Sequence, residues 1–186
     1  MHEAKVILFA VINDCQAFLE DYFNNGIIAG AVLAFLYCTI LLYKFIWERN
    51  INRNCFLGAC MKLPFVMLLG FYCYLMLGIT VLSRSRGAVY ILRPVPFSTW
   101  GTDIGNLKFW IENILMMIPL SILLYILWAP FRRLYWSLLA GFFCSLSIEC
   151  IQLFTRLGKF ETDDIMNNVF GTLLGFLICK GISRMR

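Results

Sequence analysis

From Leu63 to Leu82 the chain carries no charged residue, and four further stretches, at roughly 26–47, 109–129, 134–154 and 165–182, are nearly as apolar. A membrane-spanning helix takes about 20 such residues, so each stretch is long enough to cross a bilayer, the last being the shortest. Uninterrupted apolar runs lack the two-residue alternation of a membrane barrel strand, which leaves helices as the form that satisfies every backbone polar group inside lipid. Composition points the same way. The chain is 61% apolar and 15% charged, whereas soluble domains are about 45–50% apolar and about 25% charged. Its mean hydropathy is +0.77. The expected fold class is all-α, a polytopic membrane helix bundle of about five transmembrane helices. A DNA-binding protein, a disulfide-stapled secreted fold and an ordinary soluble enzyme all fit poorly.

The N-terminus reads differently. Val6 to Ile12 is apolar, but Asn13 and Asp14 interrupt the run before it can span. Leu8, Ile12, Cys15, Leu19 and Tyr22 recur at helical spacing against Asp14, Glu20 and Asp21. That pattern predicts an amphipathic helix on the membrane surface. The start is weakly basic and no small-residue cleavage site follows, so a cleaved signal peptide is not expected. Three parts result: an interfacial helix at 1–25, a transmembrane pair at 26–82, and a region at 83–186 with a loop and three spans.

Basic residues set the orientation. Lys44, Arg49, Arg53, Lys62, Arg132, Arg133, Lys180, Arg184 and Arg186 fall on one side, nine of the 16 Lys and Arg in the chain. The remaining seven fall on the other. This places the C-terminus in the cytoplasm and the N-terminus outside, with the loop at 83–108 and the link at 155–164 on the outer face. The net charge of +5 reports lipid head groups and topology rather than nucleic acid.

Most cysteines, Cys38, Cys73, Cys144, Cys150 and Cys179 among them, lie in apolar runs and act as small hydrophobes. Cys55 and Cys60 share a polar loop, but one pair without a histidine is a poor metal site. His2 is the only histidine, so Ser-His and Cys-His chemistry is not expected. No Walker-type phosphate loop is present. Neither a metal nor a cofactor is predicted.

The unusual polar residues concentrate in the last three spans. Glu149, Gln152 and Arg156 are spaced i, i+3, i+7, which predicts a polar stripe on the fourth span. A carboxylate inside a membrane helix costs at least about 2.5–3.5 kcal/mol at the bilayer centre, so it needs a partner or a wet cavity. A plainer reading has Glu149 near the interface, paired with Arg156 and fastening helices together.

In the fifth span Asp164 and Asn168 share a face with Gly171 and Gly175. Glycines at this spacing let a neighbouring backbone come close, which would carry Asp164 and Asn168 toward the stripe of the fourth span. Thr162 or Asp163 is placed to cap this helix. In the third span Asn113 enters the membrane above Pro119, which should bend the helix and open a cleft; a modest interhelical hydrogen bond is the alternative. The loop carries Arg84, Arg86 and Arg93, followed by Pro94, Pro96, Phe97 and Trp100. Its arginines could meet lipid phosphates in general or recognise one anionic head group.

The ordered set of Pro96-Phe97, Glu112-Asn113 with Pro119-Leu120, Glu149-x-x-Gln152 with Arg156, and Asp163-Asp164 with Asn168 and Gly171 resembles the VanZ-like family of bacterial membrane proteins. The resemblance covers about residues 80–182. Arg93 and Ser121 stand where the family pattern has asparagine and glycine. The resemblance implies a role at the cell envelope, the family's named member being associated with low-level resistance to teicoplanin, a lipoglycopeptide antibiotic.

Two functions follow as expectations. The first is a non-enzymatic envelope protein whose outward polar cleft binds a lipid-linked precursor, a lipid head group or a lipoglycopeptide. Arg93 and Arg156 would meet anionic groups, Asn113, Gln152 and Asn168 would hydrogen-bond the ligand, and Glu149, Asp163 and Asp164 would set the charge. The second is a membrane enzyme with Glu149 or Asp164 as general acid or base on a lipid-linked substrate. A transporter is a third option, but no internal repeat of interrupted spans is visible. Partners are membrane lipids, with no nucleic acid.

Overall fold

The computed structural model describes residues 2–47, 53–84, 92–97 and 104–185. Six helices make up nearly all of it: α1 His2–Trp47, α2 Arg53–Cys60, α3 Leu63–Leu77, α4 Ile104–Leu127, α5 Leu134–Thr155 and α6 Thr162–Arg184. Five candidate spans lie at Leu19–Phe45, Phe56–Leu82, Gly105–Leu127, Leu134–Thr155 and Thr162–Arg184. The fold is an all-α bundle with five helices long and apolar enough to cross a membrane.

The N-terminal segment is helical, but no break separates it from the first span. α1 runs for 46 residues, about 69 Å of rise against a hydrocarbon core of about 30 Å. Its first turns therefore form one continuous helix with the span. Asn24, Asn25 and Gly26 do not end it, because α1 packs along α3 and that contact outweighs the local breakers. At their crossing Gly30 faces the Met67 carbonyl and Gly70 faces that of Ala29, and a side chain at either would collide. The opposite face of α1, with Ile28, Phe35 and Ile40, is exposed and is the natural lipid surface.

Pro64 occupies the first turn of α3, where its missing N–H costs little. α4 is the central helix. Met116, Met117, Leu120, Leu123 and Leu127 pack with Val66, Leu69 and Met76 of α3 and Ile148 of α5 to form the core. α4 continues through Pro119 as one element. α6 lies between α4 and α5. Gly171 and Gly175 of α6 face the Ile114 and Ile118 carbonyls of α4, while Gly141 of α5 receives Thr172 of α6. The glycine stripe of the fifth span thus docks on the third span, and the fourth supplies a glycine of its own.

At one end of the bundle Lys62 donates to the Leu127 carbonyl at 3.0 Å, and a single 3-10 turn at Ala129–Arg132 joins α4 to α5. The other end gathers the close of α3, the starts of α4 and α6 and the close of α5. There β1 Leu92–Arg93 pairs in parallel with β2 Phe160–Glu161, tying the loop before α4 to the link before α6. Arg49, Arg86, Trp100 and the Cys55 side chain lie outside the described residues.

Candidate functional site

The end of the bundle closed by β1 and β2 holds a cavity of about 860 Å³. Part of its wall is apolar, with Tyr72, Leu75, Ile79, Leu115, Met116 and Ile148. The rest is polar, with Glu149, Gln152, Glu161, Asp164 and Asn168, then Arg84, Arg93 and Lys159. Val11, Asp14 and Leu19 of α1 close one side.

Each polar side chain is held by a different element. Glu149 and Gln152 are one turn apart on α5 and are 2% and 3% exposed. Glu149 Oε2 accepts the backbone N–H of Glu161 at 3.0 Å, which draws the link back over α5. Gln152 Nε2 donates to the Thr80 carbonyl at 2.9 Å. Thr80 lies in a five-residue π turn, Gly78–Leu82, that extends α3. Within it the Ser83 N–H reaches back to Gly78 at 2.9 Å, and the Arg84 N–H turns to Val81. In an α-helix the Arg84 N–H would have met Thr80, so the wide turn releases that carbonyl for Gln152.

On α6, Asp164 Oδ1 accepts from Asn113 Nδ2 of α4 at 2.8 Å, and Asn168 Nδ2 donates to Ser145 Oγ of α5 at 2.7 Å. Asn168 is 2% exposed, and its Oδ1 has no partner among the described residues. Lower down, Ser121 of α4 donates to the Thr172 carbonyl of α6 at 2.8 Å. The three helices are therefore joined by a ladder of polar contacts directly under the cavity.

Of the residues singled out from sequence, Arg93, Asn113, Glu149, Gln152, Asp164 and Asn168 line the cavity. Arg93 does so while paired with Glu161 at 3.2 Å. Asp163 lies apart, accepting the backbone N–H of Phe97 at 2.5 Å. Arg156 also lies apart: α5 ends at Thr155, and Arg156 takes the left-handed conformation at the C-cap with its side chain exposed. Helical spacing to position 156 does not hold once the helix has stopped. Nor do Thr162 or Asp163 cap α6, since the N-cap is Glu161 and makes no side-chain cap.

Sequence reasoning assigned Arg84 only to the loop and missed its place in the cavity. Its Nη1 lies beside Gly158, where a side chain would collide with it and with Gln152 Oε1. The signal available was Gly158 itself, a residue with no side chain opposite the Glu-x-x-Gln turn. Asp14 and Lys108 form an ion pair, with Glu112 3.8 Å from the same ammonium. This pair fastens the N-terminal turns of α1 to the start of α4. No cluster of metal-ligating residues is found among the described residues.

Comparison with curated proteins and with solved structures gave no match. The VanZ/LLP1 family matches residues 65–184. That interval contains α3 from its third residue, α4 through α6, the paired strands and Arg84, Arg93, Glu149, Gln152, Lys159, Glu161, Asp164 and Asn168 of the cavity wall. This chain belongs to the VanZ/LLP1 family and is a multi-pass membrane protein.

Proposed function

We propose that the chain is a non-enzymatic envelope protein that holds the head group of a lipid, a lipid-linked precursor or a lipoglycopeptide in this cavity, and that it contributes to teicoplanin resistance. The observation that carries this reading is one cavity lined by both buried polar side chains and apolar ones. Carboxylates and amides are costly within a bilayer, about 2.5–3.5 kcal/mol for an Asp at mid-span. Glu149, Gln152, Asp164 and Asn168 on two adjacent helices all face the same space. An amphipathic ligand matches both halves, its head among these groups and its chain against Ile79, Leu115 and Met116.

The basic-residue distribution supports a cytoplasmic C-terminus in a bacterial cell membrane, which puts the cavity under the outer leaflet. Expression of wild type in a susceptible bacterium is expected to raise the teicoplanin concentration needed for killing. Glu149→Ala and Asp164→Ala are expected to remove that protection at equal membrane level. Equal protection by wild type and both variants, or none by wild type, overturns the reading. A Lys159→Cys substitution in a cysteine-free background should label from outside intact cells, and labelling only after permeabilisation overturns the orientation.

One observation favours a second reading, a membrane enzyme. Glu149 and Asp164 enter the same cavity, where one could serve as general acid and the other as general base on a bound substrate. Mass spectrometry of envelope lipids with and without the protein separates the two, because only an enzyme leaves a chemical change.

A further inference from the structure

We propose that the inner end of the cavity is a site for a primary ammonium, so that the ligand is an aminophospholipid whose phosphate faces Arg84 at the mouth. This assignment rests on the reading above that the cavity holds a lipid head group, and it names which kind.

The charges of the cavity largely pair off before the inner end is reached. Arg93 is taken by Glu161, and Asp14 and Glu112 share Lys108. Glu149 and Asp164 are left, with the exposed Arg84 and Lys159 as the remaining cations in the lining.

The hydrogen bonds make the same distinction. Each amide and backbone donor nearest the carboxylates already makes a bond within the protein: Asn113 Nδ2 to Asp164 Oδ1, the Glu161 N–H to Glu149 Oε2, Gln152 Nε2 to the Thr80 carbonyl, and Asn168 Nδ2 to Ser145 Oγ. Three acceptor atoms beside them meet no hydrogen bond among the described residues. They are the second oxygen of each carboxylate and Asn168 Oδ1, buried and without a partner among the described residues.

A buried acceptor left unmade is costly, so a ligand that completes the site brings N–H donors, and a positive charge suits the two carboxylates beside them. A primary ammonium supplies three donors and one charge in a compact group. A quaternary ammonium brings the charge without a donor, and an anionic head group meets two carboxylates and an orphan carbonyl. The guanidinium of Arg84 suits the phosphate that adjoins the amine in such a lipid.

The test measures binding of defined lipids to the detergent-purified full chain by native mass spectrometry. Phosphatidylethanolamine, phosphatidylcholine, phosphatidylglycerol and N-acetylated phosphatidylethanolamine with identical acyl chains are compared. Phosphatidylethanolamine should bind about tenfold or more tightly than the other three. Asn168→Leu should reduce that preference, and the double variant Glu149→Gln, Asp164→Asn should abolish it.

The acetylated lipid keeps the result decisive even if the variants fold poorly, because it alters the ligand and leaves the protein intact. Free phosphoethanolamine should bind at least about tenfold more weakly than the lipid; equal binding overturns a lipid source. Choline, glycerol or acetylated lipid binding as tightly as phosphatidylethanolamine overturns the ammonium site while head-group binding stands. Absence of saturable binding by any of these lipids overturns both.

Discussion

The backbone N–H of Phe97 donates to Asp163 Oδ1 at 2.5 Å, across 66 positions of sequence. Phe97 pays for the contact with a left-handed backbone at φ 63, a conformation that costs an ordinary residue about 1–2 kcal/mol. Asp163 is 1% exposed. The Pro-Phe loop and the double aspartate of α6 are thereby one structural unit above the cavity. Asp163 acts as the anchor of the loop, while the adjacent Asp164 turns to Asn113 and the cavity.

Asp163→Ala should therefore loosen the loop without preventing insertion. It leaves the Phe97 N–H without this acceptor, and the expected loss is about 1–3 kcal/mol. Thermal unfolding in detergent should shift down, and limited proteolysis between 83 and 108 should quicken. Asp163→Asn retains an acceptor oxygen and should fall between wild type and alanine on both measures. Unchanged proteolysis in the alanine variant would remove the anchoring role.

Close approach of α4 and α6 sets the Asn113–Asp164 contact. A Cβ at Gly171 would strike the Ile114 carbonyl, whereas one at Gly181, on the same helix, would meet open space. Gly171→Ala should force the helices apart and cost about 1–3 kcal/mol. Gly181→Ala should stabilise by about 0.5–1 kcal/mol through helix propensity alone, provided its exposed face meets no partner. Paired unfolding measurements check the contrast, and equal effects of the two would contradict the helix contact.

Asn113 and Asp164 should also be energetically coupled. A double-mutant cycle with alanine at each position is expected to give about 0.6 kcal/mol and at most about 1.7 kcal/mol, the average and the largest value found for hydrogen bonds between membrane helices. Additive single effects would place the two side chains apart. Because Asp164 also faces the cavity, the cycle is read by stability and not by antibiotic protection.

The spans were legible because burial in lipid demands long apolar runs, and local composition reports that demand directly. The first apolar span begins at Leu19, earlier than 26, because α1 continues through Asn24, Asn25 and Gly26 where it packs on α3. The grouping of Glu149 with Gln152, and of Asp164 with Asn168, was readable from turn spacing along single helices. Arg156 was not, because the wheel assumes a helix that in fact stops at Thr155. The π turn at Gly78–Leu82 and the place of Arg84 depend on contacts between distant segments, and no period in the sequence carries them.

Arg93 and Glu161 make an exposed pair, with the Arg93 side chain 43% accessible. Such pairs contribute about 0–1 kcal/mol, so Arg93→Ala should barely change stability. The strands Leu92–Arg93 and Phe160–Glu161 should hold through their backbone bonds. A reversed pair, Arg93→Glu with Glu161→Arg, should restore whatever the single changes lose in unfolding temperature. Failure of the reversed pair to restore it would show that Arg93 acts through something other than Glu161.

Gln152 ties α5 to the π turn of α3, and its loss should be felt at both ends of that bond. Gln152→Leu keeps most of the volume but leaves the Thr80 carbonyl buried without its donor; Thr80 is 5% exposed. The expected cost is about 1–3 kcal/mol. Ser147→Ala serves as the control on the same helix, since its hydroxyl is exposed and donates only to Phe143 one turn earlier, at 2.7 Å. That change should stay within about 0.5 kcal/mol. If the π turn exists to free the Thr80 carbonyl, hydrogen exchange at Ser83 and Arg84 should accelerate in Gln152→Leu and stay unchanged in Ser147→Ala. Equal exchange in both variants would mean that the turn is held by α3 alone.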